Sequence, residues 1–169
     1  MEEMLDVVDE NDMVVRKATR KEVRGKGLLH KCARVIIINN NGELMLQKRT
    51  MTKDIYPGHW DIGVAETVKS GESYEEAAAR GLKEEAGIKA NPSELNFLFE
   101  ARYKSKNNNA KTHVYACKYN GKVIPQEEEI DEIGFMAAED VKEIIGKIQF
   151  HPVGKIVFEK YLEQQNINI

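Results

Sequence analysis

Apolar residues along the chain fall in short runs broken by turn residues, the pattern of strands with a few helices between them. Leu5-Asp-Val-Val8 and Met13-Val-Val15 flank Asn11-Asp12 and predict a small hairpin, followed by a basic connector from Arg16 to Lys26. Cys32–Asn39 holds the run Val35-Ile-Ile-Ile38 and predicts a buried strand. Asn39-Asn-Asn-Gly42 then turns the chain into Glu43–Lys48 as an antiparallel partner. Thr52–Asp61, with Pro57-Gly58, reads as an exposed loop. Leu95–Lys104 and Lys111–Tyr119 predict strands separated by Asn107-Asn-Asn109, and Asn120-Gly121 a tight turn before Lys122–Ile124. Ile133–Met136 predicts a short strand, Ala138–Ile145 a short helix, and Pro152–Gln164 a closing helix with proline in its first turn.

The clearest helix runs from Tyr74 to Ala86. Ser73 is a good N-cap, Glu76 completes a capping box, and Gly87 suits the C-terminal end. Antiparallel strands interspersed with a few helices predict an α+β sandwich.

Composition narrows the class. The chain has 169 residues, the size of one domain, with 41% hydrophobic and 31% charged residues. That mixture supports a core and excludes collagen-like, coiled-coil and wholly disordered chains. The net charge of -3 provides no broad cationic field for a nucleic-acid polymer. The longest apolar run, Val35–Ile38, falls far short of a membrane span, and the acidic start Met1-Glu-Glu-Met-Leu-Asp is unlike a secretory signal. Cys32 and Cys117 lie far apart and are expected to be free thiols in a reducing cytosol. A cytoplasmic protein is expected.

The chemistry concentrates in Gly71–Ile88. Glu84 and Glu85 share a helix face with position 81, and two like charges there repel. A divalent cation reverses that sign, and hard oxygen ligands suit magnesium or manganese. A solvated acidic face is the plainer account of Glu84-Glu85 alone. The spacing around the pair resembles the Nudix signature G-x5-E-x7-R-E-U-x-E-E-x-G-U, with U aliphatic. Glu72, Arg80, Leu82, Glu84, Glu85, Gly87 and Ile88 occupy seven of its nine defined positions. The resemblance implies an α/β/α Nudix-type sandwich with a mixed β-sheet along about residues 29–165. It also implies that helix glutamates hold the metals that neutralise a diphosphate.

Two positions depart from the signature. Glu66 stands where the leading glycine is expected, and Gly81 where the first glutamate of the R-E-U-x-E-E run is expected. The missing glutamate often supplies a metal ligand or general base in that family. Its loss removes a carboxylate from the catalytic face. Three accounts stay open: an impaired hydrolase, a carboxylate relocated to Glu66, or a fold that binds a diphosphate without cleaving it.

A second stretch, Leu46-x-x-Arg49-x-x-x-Lys53-x-x-x-Pro57-Gly58-x-Trp60, is similar to the loop of isopentenyl-diphosphate isomerases and their Nudix relatives. The resemblance implies that Arg49 and Lys53 hold phosphate oxygens, and Trp60 reads as a packing residue. The isomerase reaction itself is poorly supported. Ala65 stands where that reaction's cysteine is expected and Thr67 where a metal histidine is, while His30 matches another histidine position. Glu127-Glu-Glu129 and Asp131-Glu132 offer a further acid, with a solvated charge run as the plainer account. His59 and His113 have no metal-spaced partner, and His151 precedes a helix proline; each reads as a surface or packing residue.

The sequence thus predicts an N-terminal hairpin and connector over residues 1–28 and a Nudix domain over 29–169. The expected activity is magnesium- or manganese-dependent hydrolysis of an organic diphosphate, with a nucleoside diphosphate first among substrates. Glu84, Glu85 and Glu72 are the expected metal ligands, Arg80 the residue that orients the glutamates, and Arg49 and Lys53 the substrate contacts. A homodimer is implied by the resemblance alone.

Overall fold

The computed structural model describes residues 1–167. Its first strands, β1 (Met4–Val8) and β2 (Val14–Thr19), form the expected antiparallel hairpin. The basic connector is no loose segment. Strand β2 runs to Thr19, and helix α1 (Arg20–Lys26) follows, capped by the Thr19 side chain on the Glu22 N–H. Thr19 and the acid at the third helical position are a local start signal that the run of positive charge obscures.

The main sheet is mixed. Strand β3 (Leu29–Ile38) lies parallel to β8 (Asn109–Lys118) through ten register pairs, from Leu29 opposite Asn109 to Ile38 opposite Lys118. Strand β7 (Asn96–Lys104) pairs antiparallel with β8 on its far side. On the other side of β3 lie β4 (Leu44–Arg49) and β6 (Val64–Thr67), both antiparallel to it. Strands β5 (Trp60–Ile62) and β9 (Ile130–Met136) flank β4. Trp60 and Asp61, expected at the end of a loop, therefore open a strand, and Lys122–Ile124 forms none.

Helices cover both faces. Helix α2 (Tyr74–Ala86) has the expected bounds and a complete Ser73–Glu76 capping box. It packs Ala77, Ala78, Leu82 and Ala86 over Val35, Ile37, Met45 and Val64. Helices α3 (Ala138–Ile144) and α4 (Pro152–Ile167) close the opposite face, where Val141, Val157 and Phe158 meet Ile36, Leu44, Leu46 and Val114. Successive β3 residues point to opposite faces, so one continuous apolar run serves both cores. Gly63, between β5 and β6, has φ +64, and a β-carbon there would collide with the Val35 carbonyl. The chain thus crosses from one strand to the next in direct contact with β3.

The hairpin carries its own small cluster of Leu5, Val7, Ala18 and Val23. It is also tied to the segment before α2. Asp6 accepts from the Ser70 hydroxyl at 2.7 Å and the Gly71 N–H at 3.1 Å, and Asp12 accepts from the Tyr74 hydroxyl at 3.0 and 2.9 Å.

Candidate active site

A cavity of about 250 Å³ opens where α1, α2, β3, β4, β6 and β8 converge. Glu84 and Glu85 reach it from the last turn of α2, Glu66 from β6, and Arg49 and Lys53 from the end of β4 and the loop after it. Of the sequence-predicted residues, Glu84, Glu85, Arg80, Arg49 and Lys53 thus meet in one place, although they come from separate elements.

Arg80 organises the acidic side. Its Nε donates to Glu72 Oε1 at 2.9 Å and its Nη2 to Glu72 Oε2 at 3.0 Å, a paired geometry suited to guanidinium and carboxylate. Nη1 donates to Glu66 Oε2 at 2.8 Å, and Nη2 also donates to the Thr67 carbonyl at 2.9 Å. Glu84 lies 3.6 Å from Nη1 and is half exposed. Burial alone would raise the pKa of Glu72, but the Arg80 and Lys69 N–H hydrogen bonds outweigh it and hold the carboxyl below its usual range. Both Glu72 oxygens are therefore engaged, and Glu72 does not line the cavity.

Glu85 is 8% exposed. One oxygen accepts from Gln47 Nε2 at 3.3 Å, and that amide also donates to the Gly63 carbonyl at 2.6 Å. Burial and the adjoining Glu66 carboxylate push Glu85 up to about 8. Two carboxylates this close in a low-dielectric site repel unless a proton or a cation lies between them.

The two departures from the signature meet here. A β-carbon at Gly81 would lie 2.5 Å from Glu66 Cγ. The absence of a side chain at position 81 is what admits the Glu66 side chain across α2 towards Arg80 and Glu85. The sequence suggests a relocated carboxylate as one account of the two changes; in the fold the Glu66 side chain fills the space that glycine leaves at 81. Glu66, Glu84 and Glu85 thus bring three carboxylates to one cavity, oxygen donors of the kind a hard divalent cation takes.

The opposite side is cationic. Lys53 pairs with Glu129, which also borders the cavity; among the acids of the 127–132 run, only Glu129 does so. Arg49 Nη2 donates to the Ile55 carbonyl at 3.0 Å. Arg20, Arg24 and Arg34, which the sequence did not single out, also line the cavity. Arg34 forms a buried pair with Asp61, the two side chains 3% and 1% exposed. Ala65 and Thr67 border the cavity without supplying an acid or nucleophile.

His30 is buried, with its Nδ1 3.0 Å from the Leu28 carbonyl, and His59 Nδ1 lies 3.1 Å from the Pro57 carbonyl. His113 stacks on Tyr74 at 3.6 Å and contacts Glu100 at 3.0 Å. His113, Glu100 and Asp12 could together reach one ion, but Asp12 already accepts from Tyr74 and lies 3.5 Å from Lys111 Nζ. Both cysteines are free, as expected. Among the described residues, no helix is long and apolar enough to cross a membrane.

The NUDIX domain model matches residues 28–155. Nudix hydrolase SCO1686 of Streptomyces coelicolor is 36% identical over 154 residues, spanning 90% of this chain and 84% of that protein. Nudix hydrolase YfcD of Escherichia coli K12 is 30% identical over 141 residues, spanning 82% of this chain and 76% of the relative. Both are named as uncharacterized. The crystal structure of DR0079 from Deinococcus radiodurans superposes with a TM-score of 0.77 at 23% identity, covering 94% of this chain and 99% of that one. A C. elegans Ap4A hydrolase superposes with a TM-score of 0.59 at 23% identity, over 79% and 95% of the two chains. With its domain, its relatives and its two-sided helix packing in agreement, this chain belongs to the Nudix hydrolase family.

Proposed function

We propose that this enzyme hydrolyses an organic diphosphate, a nucleoside diphosphate first among candidates, with a magnesium or manganese ion. Glu66 supplies the carboxylate that position 81 lacks. One observation carries this reading: the Glu66 side chain lies in the space a residue larger than glycine would take at 81, with its carboxylate between Arg80 and Glu85.

Glu66, Glu84 and Glu85 would hold the ion, which when bound offsets the charge of the diphosphate and acidifies water. Arg80 fixes Glu66 against Glu72 and the Thr67 carbonyl, so the donor set is oriented before substrate arrives. Gln47 fixes one oxygen of Glu85 and turns the carboxylate towards its neighbour. Arg49 and Lys53 would contact phosphate oxygens and neutralise charge as water adds to phosphorus and the bridging P–O bond breaks. In this reading Glu72 positions Arg80 and does not bind the ion.

The test compares the wild type with Glu66→Gly, Gly81→Glu and the double variant, reading Mn2+ affinity and phosphate release from a nucleoside diphosphate panel. Glu66→Gly is expected to lose at least tenfold in both readouts, and the double variant to recover most of that loss by restoring a carboxylate at 81. Unchanged metal affinity and turnover in Glu66→Gly would overturn the role of Glu66. Folded variants that bind nucleoside diphosphates while releasing no phosphate, wild type included, would favour a binding module.

A further inference from the structure

The matched domain begins at residue 28, yet the cavity has a wall built from before it. Arg20 and Arg24 project into the cavity from α1, four residues apart and so on one side of the helix. Their surroundings differ. Arg20 is paired with Glu3 at 3.0 Å. Arg24 has no carboxylate partner among the described residues; its Nη1 donates to the neutral Asn108 amide oxygen at 3.2 Å, and its Nε is buried without a hydrogen-bond partner. Arg49 is in the same condition, held through the Ile55 carbonyl and with a buried, unpartnered Nε. Burial is the main cause lowering the pKa of both guanidiniums; Arg20 and Arg49 add to it at Arg24 and Arg34 at Arg49, while the more distant carboxylates Asp61, Glu85 and Asp54 at Arg49, and Asp54 at Arg24, only partly offset it.

Two partly buried guanidiniums facing one cavity, each with an idle buried Nε and, among the described residues, no carboxylate at ion-pair distance, form a poor arrangement for stability. They form a good one for a ligand that brings two negative charges and several acceptor oxygens. The buried pair Arg34–Asp61 nearby shows what this fold does with an arginine whose charge is structural: it supplies the acid.

We propose that Arg24 and Arg49 together clamp one phosphate group of the substrate, making the N-terminal helix part of the substrate site. The identity of the ligand as a substrate phosphate rests on the hydrolase reading above; the anion site itself does not. Because the second guanidinium comes from α1, the hairpin and helix contribute to recognition as well as to packing.

The experiment measures binding of inorganic pyrophosphate by calorimetry with EDTA present, so that no metal contributes. The proteins are the full-length chain and its Arg24→Gln, Arg49→Gln, Arg24→Lys and Lys21→Gln variants. Lys21 is exposed on the same helix and does not line the cavity, so it controls for net charge. Millimolar or tighter binding is expected for the wild type and Lys21→Gln. At least a tenfold loss is expected for each glutamine variant, and a several-fold loss for Arg24→Lys, which keeps the charge but not the planar fork. Wild-type affinity in a folded Arg24→Gln, or no binding by the wild type, overturns the clamp. Should Arg24→Gln fail to fold, Arg24→Lys decides, and undiminished binding there overturns it equally. Pyrophosphate binding that depends on Arg24, in a protein that cleaves no diphosphate, would overturn the hydrolase reading and uphold the anion site.

Discussion

Gly81 shows how a residue is judged by its neighbours. A glycine inside a helix costs about 1 kcal/mol relative to alanine, and Gly81 is buried in the last turns of α2. Gly81→Ala should return some of that helix stability while its new β-carbon displaces Glu66. The expected outcome is a melting temperature within a few degrees of wild type and a clear loss of Mn2+ affinity, read by paired thermal and binding titrations. Unaltered affinity would mean that Glu66 does not need the gap. His151 gives a second residue-level prediction. Burial lowers its pKa to about 4 despite the nearby Asp61 carboxylate, and its Nδ1 accepts from the Val153 N–H at 3.2 Å, which requires an unprotonated nitrogen. The unfolded chain takes up this proton near pH 6.5, whereas the folded chain does so only near pH 4. His151 therefore subtracts nothing above pH 6.5 and costs progressively more stability as pH falls towards 4, to an upper bound of about 3 kcal/mol. Thermal melts between pH 7.5 and 4.5 should fall more steeply for the wild type than for His151→Gln.

At the scale of elements, α2 was fully legible because its signals are local. Ser73 Oγ accepts from the Glu76 N–H at 3.1 Å, and the Glu76 carboxylate accepts from the Ser73 N–H at 2.8 Å. Gly87 ends the helix at φ +66. Ser73→Ala should cost about 1 kcal/mol, a fall of roughly 2–4 °C in melting temperature for a chain of this size. No change in the melt would show that tertiary packing alone fixes the start of the helix. Helix α1 was not legible, since Arg16–Lys26 lacks the apolar period that marks a helix and buries only Val23. Trp60–Ile62 was likewise hidden behind Pro57-Gly58, because it pairs with β4 across a long irregular loop that carries no tight hairpin-turn signal.

For the whole molecule, the question is how far the N-terminal hairpin is part of one cooperative unit. Leu5 is fully buried, and its backbone bridges to Lys69, just before the segment that leads into α2. Leu5→Ala should cost 2–5 kcal/mol and shift the entire transition downward when followed by circular dichroism and Trp60 fluorescence together. A loss seen in one probe alone would mark the hairpin as an independent appendage. The same long-range ties explain why a single basic stretch reads as a connector in sequence and as a cavity wall in the fold.

The sequence by itself determined the apolar strands, the capped helix and the spacing of Glu84, Glu85 and Arg80. These follow from backbone propensities and periodicities that act within a few residues. Tertiary structure decided what cannot be local: that β3 and β8 run parallel, that Glu66 lies across Gly81, that Glu72 is taken up by Arg80, and that Arg24 reaches the cavity beside Arg49. Each depends on residues beyond one helical turn or one strand pair of each other meeting at contact range. There, a missing side chain is space for another residue, and an unpaired charge is a demand for a partner.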